Sequence, residues 1–484
     1  MLVSDRYFGD SRAIEMRNLA RFRVGLKLLA SKEPHLGAAL QAASALDDEA
    51  IRPLLYDPVL RNCFEDDIAR MEHGQSPSGA LADHLEHCLK DGPAGLGPCA
   101  QISNPRRKAW PAHGSAWIWG ELQPQEPSDV RLAARLMELY RGSFEDAASS
   151  EPIVPTDEMS RSLGLGAELL NALLPKTGAS VLSHVSVVGF TRGDSPEGPL
   201  QSLSGGDPLP SAILMAPERL RDSWVAAETL LHESAHLKLF DALRSAAVTI
   251  TPNLLVEIPW RRSKWKLIRV IVALHFYTHF LLFQAAVDHA GDHLKEVFGE
   301  PSAADSVDEP SPDTPAAWDG TYRTTAERVR YLAETAISLS AELTPHGRRL
   351  VEWLLSVLQM AMTDPPRMPA AEYPGDSSGP AAQRVPAATE HETLYTRNEP
   401  VEAYALADLG QLVVGDPRTG RLHWLNAHSW VLYALCDGRS LESVESAYSE
   451  HVGTTMPPAE VREAVSQGIT DLASSGLIQA GKRS

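Results

Sequence analysis

Apolar side chains recur every three or four residues through 13–87, as at Leu19, Phe22, Leu26 and Leu29 and again at Leu54, Leu60, Phe64 and Ile68. With few β-branched runs between them, that spacing predicts a helical region. Further helices are expected at 132–140, 164–174, 224–243, 325–343 and 346–362, with Thr344-Pro345 as a break and helix start. Strands are expected at 181–190, where VLSHVSVVGF is β-branched, and at 211–215, a short apolar run. Residues 248–260 carry Pro252 and Pro259 and predict extended backbone. The segment 91–127 mixes Gly and Pro with Trp110, Trp117 and Trp119, which predicts an irregular connection. Residues 267–287 are almost continuously apolar and about long enough to cross a bilayer. They also contain Arg269, His275, His279 and Gln284, expensive in lipid but tolerable in a helix packed against protein, so a buried core helix is expected.

At 484 residues and 43% hydrophobic positions, the chain is too long for one core and too apolar to be disordered, so two or three domains are expected. Residues 300–320 are acidic and Pro-rich and predict a mobile loop; 363–400, dense in Pro, Ala, Ser and Gly, predict a linker. The expected division is therefore a helical domain at 1–362 and a small domain at 401–481. In the latter, 403–409 and 411–414 are joined at Gly410, a turn at 416–420 leads into a third strand at 421–424, and three helices follow. Asn426 caps the first helix, the second runs 441–451, and Pro457-Pro458 starts the third, which ends at Gly476. That order predicts a winged helix-turn-helix, a three-stranded sheet with three helices, and the fold class is mainly α with a small β component. A formal charge of −19 argues against nucleic acid or an anionic membrane as main partner. Four scattered cysteines without a CxxC pair, and an N-terminus lacking an apolar signal core, fit a reducing cytoplasm.

Candidate chemistry concentrates in His232-Glu233-Ser234-Ala235-His236, an HExxH motif inside the expected helix at 224–243. Four-residue spacing puts both imidazoles on one helix face, where they can share a metal ion; Glu233 points about 100° from His232 and can reach a bound water or a supporting partner. Leu239 and Ala242 stand where a metzincin protease carries Gly and its third His, which removes that class. Glu257, His275 and His279 are the candidates for a third ligand. A three-histidine set suits Fe(II) with a bidentate cosubstrate and O2, and equally a tetrahedral Zn(II) with one water.

The run 211–287 resembles a family of HExxH proteins encoded in gene clusters for ribosomally made, modified peptides. The features that carry the resemblance are the apolar strand at 211–215, Leu230-Leu231-His232-Glu233-Ser234-Ala235-His236-Leu237, Pro259-Trp260-Arg261, and Leu274-His275 opening an aromatic-rich helix. The resemblance implies an Fe(II)- and 2-oxoglutarate-dependent hydroxylase of the β-carbon of a residue in a precursor peptide, with His232, His236 and His275 on iron. Members commonly carry a small residue after the downstream histidine; Phe276 stands there in this chain. A 2-oxoglutarate carboxylate needs a fixed cation, for which Arg261 is the first candidate, with Arg262 and Arg269 beside it.

The small domain resembles the PqqD-like peptide-recognition element of the same pathways, through His423-Trp424-Leu425-Asn426, Asp437-Gly438-Arg439-Ser440-Leu441 and Leu472…Gly476-Leu477-Ile478. What this implies is capture of a leader peptide as an added strand beside the third helix, with Arg421, His423, Trp424, Val461, Val465 and Ile469 as the contact residues. The expected partner is thus a precursor peptide, leader and core. The rival expectations are a Zn(II) peptidase with Glu233 as general base, and a non-catalytic scaffold with a structural metal.

Overall fold

The computed structural model describes residues 2–33, 37–90, 108–109, 116–120, 127–144, 150–195, 198–301, 320–367, 393–400, 402–453 and 456–482. The protein is mostly helical with small sheets, as its periodicity led one to expect. It divides into two compact units: Met1–Leu19, Leu46–Glu65 and Asp83–Pro369 form the first, and Ala20–Ala45, Asp66–Ala82 and Ala370–Ser484 the second. Part of the N-terminal helical region therefore groups with the C-terminal residues, across the 362/363 division expected from composition. Most of the expected loop at 300–320 and most of the linker at 363–400 lie outside the described residues.

The strands are, in chain order, β1 Lys108–Ala109, β2 Trp117–Ile118, β3 Glu151–Ile153, β4 Val187–Arg192, β5 Asp194–Ser195, β6 Gly198–Pro199, β7 Ser202–Ser204, β8 Ala212–Met215, β9 Leu255–Val256 and β10 Trp265–Lys266. After them come β11 Thr393–Arg397, β12 Glu402–Leu406, β13 Gln411–Asp416, β14 Arg421–Asn426, β15 Asp437–Ser440 and β16 Ile478–Lys482. The first unit holds a six-stranded mixed sheet in the order β1-β2-β4-β8-β7, with β3 also on β4. Its central strands β2, β4 and β8 are parallel, whereas β7 runs antiparallel to β8 at the sheet's end. β8 and most of β4 are buried without alternation, as expected of parallel strands covered on both faces.

The expected strand at 181–190 is corrected in its first half. Pro175 starts a helix, Pro175–Leu182, that buries Val181 and Leu182, and only from Val187 does the chain become β4. Pro at the first helical turn outweighs the β-branched composition, because its fixed φ is already helical. The expected helix at 325–343 ends earlier, at Ser338, after a capping box made by Thr324 and Glu327.

The HExxH helix, Ser223–Leu243, starts where the Asp222 carboxylate accepts from Val225 N–H. It is buried on nearly every side in the apolar core of the first unit. One flank packs on the helix Asp157–Leu173 at Gly166, where a Cβ would stand 2.6 Å from the Ala226 Cβ. Another faces the helix Leu267–Asp288, the one described helix long and apolar enough to cross a membrane, whose Leu267, Val270, Ile271, Leu274, Phe280 and Phe283 sit in the same core. The C-terminal half of the HExxH helix is tied down by polar anchors. Asp241 pairs with Arg61 at 2.5 Å and with His184 Nδ1 at 2.5 Å, and Lys238 donates to Gly9 C=O and to Ser180 Oγ.

In the second unit, two three-stranded sheets, β12-β13-β14 and β15-β11-β16, accompany the helices Ala427–Leu435, Leu441–Val452 and Pro458–Ser474. The first sheet and the three helices were legible in the sequence; the second sheet was not, and its first strand, β11, begins inside the expected linker. Leu412, Val414 and Leu425 pack with Leu432, Val444, Tyr448 and Leu472 into the unit's core. On β13 the space beside Gly415 is taken by Val24 and Leu28, and Lys27 pairs with Glu402 at 2.6 Å, so residues 24–28 lie against this sheet.

Candidate metal centre

Helical spacing brings His232 and His236 together as expected, with ring centroids 5.0 Å apart. Burial pushes His232 down to about 3, assisted by the Arg219 guanidinium; it pushes His236 to about 3, assisted by His232 and opposed by Glu233. Both rings are therefore neutral at physiological pH, the state that leaves one nitrogen lone pair free to bind a cation. The Nδ1 of His236 is buried without a hydrogen-bond partner. Such a pair fits two positions of a metal's coordination sphere.

Glu233 is 3% exposed, and its Oε1 accepts a hydrogen bond from the Ser202 hydroxyl at 2.6 Å. The carboxylate is thereby held on the side of the edge strand β7. Phe276 stacks on His232 with centroids 3.8 Å apart and lies 5.6 Å from His236, while Phe240 stacks parallel to His236 at 6.0 Å. The pair is thus walled by aromatic rings.

His275 does not join the pair. Its neighbour Phe276 projects about 100° further around the helix and takes the position over His232. His275 instead lies fully buried, its ring 4.3 Å from His279 and 5.9 Å from Trp353, with neither ring nitrogen hydrogen-bonded. Burial, with His279, Lys238 and His236 nearby, drives its pKa well below the ordinary histidine value. His279 donates from Nδ1 to the His275 carbonyl at 2.9 Å and leaves a buried Nε2 without partner. Among the described residues, no group of three or more His, Cys, Asp and Glu side chains is arranged to hold a metal ion. Glu257 is directed elsewhere, 75% exposed and paired with Lys264 at 2.5 Å. Arg261 lies with its guanidinium 5.9 Å from the Trp265 ring, and Arg269 covers the same ring at 4.5 Å.

Of the leader-contact residues, Arg421, His423 and Trp424 lie on β14, at one end of its sheet, with Arg421 exposed and the other two half-buried. Val461, Val465 and Ile469 are corrected: they are at most 4% exposed and form the core of the second unit instead of lining an open groove. Their helical apolar spacing is satisfied by Leu432, Val444 and Tyr448, a packing role that the same pattern serves equally well.

Ser202, the partner of Glu233, gave no periodic signal, because β7 is three residues long and flanked by Gly205-Gly206. The Asp241 cluster had one: an acid five residues past His236, on a helix buried on nearly every side, needs a buried cation. Arg61 fills that need and also donates to Ser211 Oγ at 2.8 Å. Comparison with protein-family models and with curated proteins finds no match for this chain.

Proposed function

We propose that this chain is a cytoplasmic metal-dependent enzyme acting on a ribosomally synthesised precursor peptide, an Fe(II)- and 2-oxoglutarate-dependent hydroxylase of the β-carbon of one residue. The observation that carries the reading is the His232–His236 pair, two neutral imidazoles one turn apart in an apolar enclosure, one of them with an orphaned Nδ1. An unpaired polar atom in such surroundings costs about 1–3 kcal/mol, which a bound cation would recover. No third donor is arranged at the pair among the described residues; His275, with both nitrogens orphaned, is the one this reading would draw in from the facing helix, and His279 is the alternative. Arg261 is the proposed cation for the cosubstrate carboxylate. When bound, Fe(II), 2-oxoglutarate and O2 supply oxidative C–H chemistry. The chain's own part is to bind through the imidazoles, exclude water with Phe240 and Phe276, and hold the Glu233 carboxylate through Ser202.

The second unit is proposed to be a winged helix-turn-helix of the PqqD-like kind that captures the leader at β14 through Arg421, His423 and Trp424. The sheet order, which leaves β14 unpaired on its outer side among the described residues, supports this. A zinc peptidase is the second reading, favoured by the buried carboxylate held beside the pair. Anaerobically purified protein is expected to retain Fe(II), to give a charge-transfer band with 2-oxoglutarate, and to add one oxygen to the precursor. Zinc content with peptide cleavage would replace the first reading by the second; a protein that retains neither metal would refute both.

A further inference from the structure

The outer edge of β7 lies beside the HExxH motif. Gln201 C=O accepts from Ala216 N–H and Gly205 N–H donates to Ala212 C=O, both at 2.9 Å. In an antiparallel ladder these bonds mark Gln201, Leu203 and Gly205 as the residues whose backbone groups face β8. Ser202 and Ser204 must then turn their N–H and C=O outward, and among the described residues no strand pairs with them. Two outward-facing residues, about 7 Å apart, match the repeat of an extended polypeptide. The Ser202 side chain bonds Glu233, so a chain added to this edge pairs with the strand that holds the motif's carboxylate.

We propose that β7 receives the reacting segment of the substrate peptide as an added strand, at Ser202 and Ser204, distinct from leader capture on the second unit. The proposal rests on the reading of a polypeptide substrate for the His232–His236 pair. Polypeptide backbone is the chemistry that two donor–acceptor pairs in strand register recognise. A second copy of this chain is the poorer occupant, because each copy carries a formal charge of −19 and repels the other. The short edge also suits a substrate that must leave after reaction.

The test uses full-length protein and a fluorescein-labelled synthetic copy of the precursor's core, without its leader, so that only the first unit's site is probed. Anisotropy titrations are run on a set of copies, each with a single backbone N-methyl group. Loss of affinity of tenfold or more at two alternate positions, with no loss at the residue between them, is the expected result. Ser204→Pro removes an outward N–H without touching the bonds to β8 and should weaken the unmethylated copy equally; Ser204→Ala should not. Uniform tolerance of N-methylation, or wild-type affinity in a folded Ser204→Pro protein, overturns the proposal. Precursor mass change on wild-type protein separates the two claims: alternation without metal-dependent modification keeps the strand and discards the enzyme, and modification without alternation does the reverse.

Discussion

The approach of the helix Asp157–Leu173 to the HExxH helix depends on a missing side chain, which makes Gly166→Ala a sharp test of the packing. A methyl group there would stand 2.6 Å from Ala226 Cβ, 3.0 Å from the Ala226 carbonyl carbon and 3.1 Å from Ala227 N. Carbon atoms in contact prefer about 3.5–4.0 Å, so the two helices must separate by roughly 1 Å. Backbone atoms, which cannot rotate aside, supply two of the three contacts. Overpacking of this kind costs about 1–3 kcal/mol, and because part of the clash is with backbone the upper half of that range applies. Replacing Gly by Ala inside a helix returns about 0.5–1 kcal/mol, which leaves a net loss of about 1–2.5 kcal/mol. Urea titration followed by circular dichroism reads this as a lower midpoint at constant slope. Moving the methyl group across the interface, in Gly166→Ala with Ala226→Gly, should remove the largest overlap, so the double variant should lose less than the sum of the singles. A neutral or stabilising Gly166→Ala, or strict additivity of the pair, would refute the close contact.

Three further outcomes are expected. Asp241→Ala strands Arg61 and His184 in the core without their shared carboxylate and should cost about 3–5 kcal/mol in a denaturant titration. Burial raises the Asp416 carboxyl, but donation from Arg418 N–H, Thr419 Oγ and the Arg418 side chain outweighs it and holds the pKa below the ordinary value. With the folded value below the unfolded one of about 3.9, this stabilisation is present above that pH and is lost as pH falls through the folded value. The unfolding midpoint should therefore drop on acidification less steeply in Asp416→Asn than in wild type. His236→Ala should abolish metal retention measured by elemental analysis; His275→Ala should do the same if that ring supplies the third donor, and unchanged metal content would transfer the role to His279.

Strong periodicity and capping chemistry made the helices readable: Thr344-Pro345, Asn426 and the apolar run at 267–287 each mark an element that is present. Strands of two to four residues, such as β7, β9 and β15, are too short to develop an alternating pattern, and their pairing is set by distant parts of the chain. The HExxH pair was legible because both imidazoles sit on one helix. Whether His275 meets it depends on the rotation of a second helix, which the run LHFYTHF leaves open, since Phe276 and His275 are equally able to face a neighbour. The association of residues 24–28 with the C-terminal sheet was hidden for a related reason. Val24 and Leu28 show helical spacing, but nothing in it says that Gly415 is the surface they cover.

The polar groups of the two facing helices divide into those with partners and those without, and the division is chemical. On the HExxH helix, Glu233 is held by Ser202, Lys238 by Gly9 and Ser180, Asp241 by Arg61 and His184, and Thr229 and Ser234 by carbonyls one turn back. On the Leu267–Asp288 helix, Tyr277 meets Arg328 and Thr278 bonds the Leu274 carbonyl. The buried atoms that these two helices leave unbonded are His236 Nδ1, His275 Nδ1 and Nε2, and His279 Nε2, all of them imidazole nitrogens. These two helices satisfy their buried carboxylates, ammonium and hydroxyls and leave open only ring nitrogens, the groups whose lone pairs the proposed cation would use.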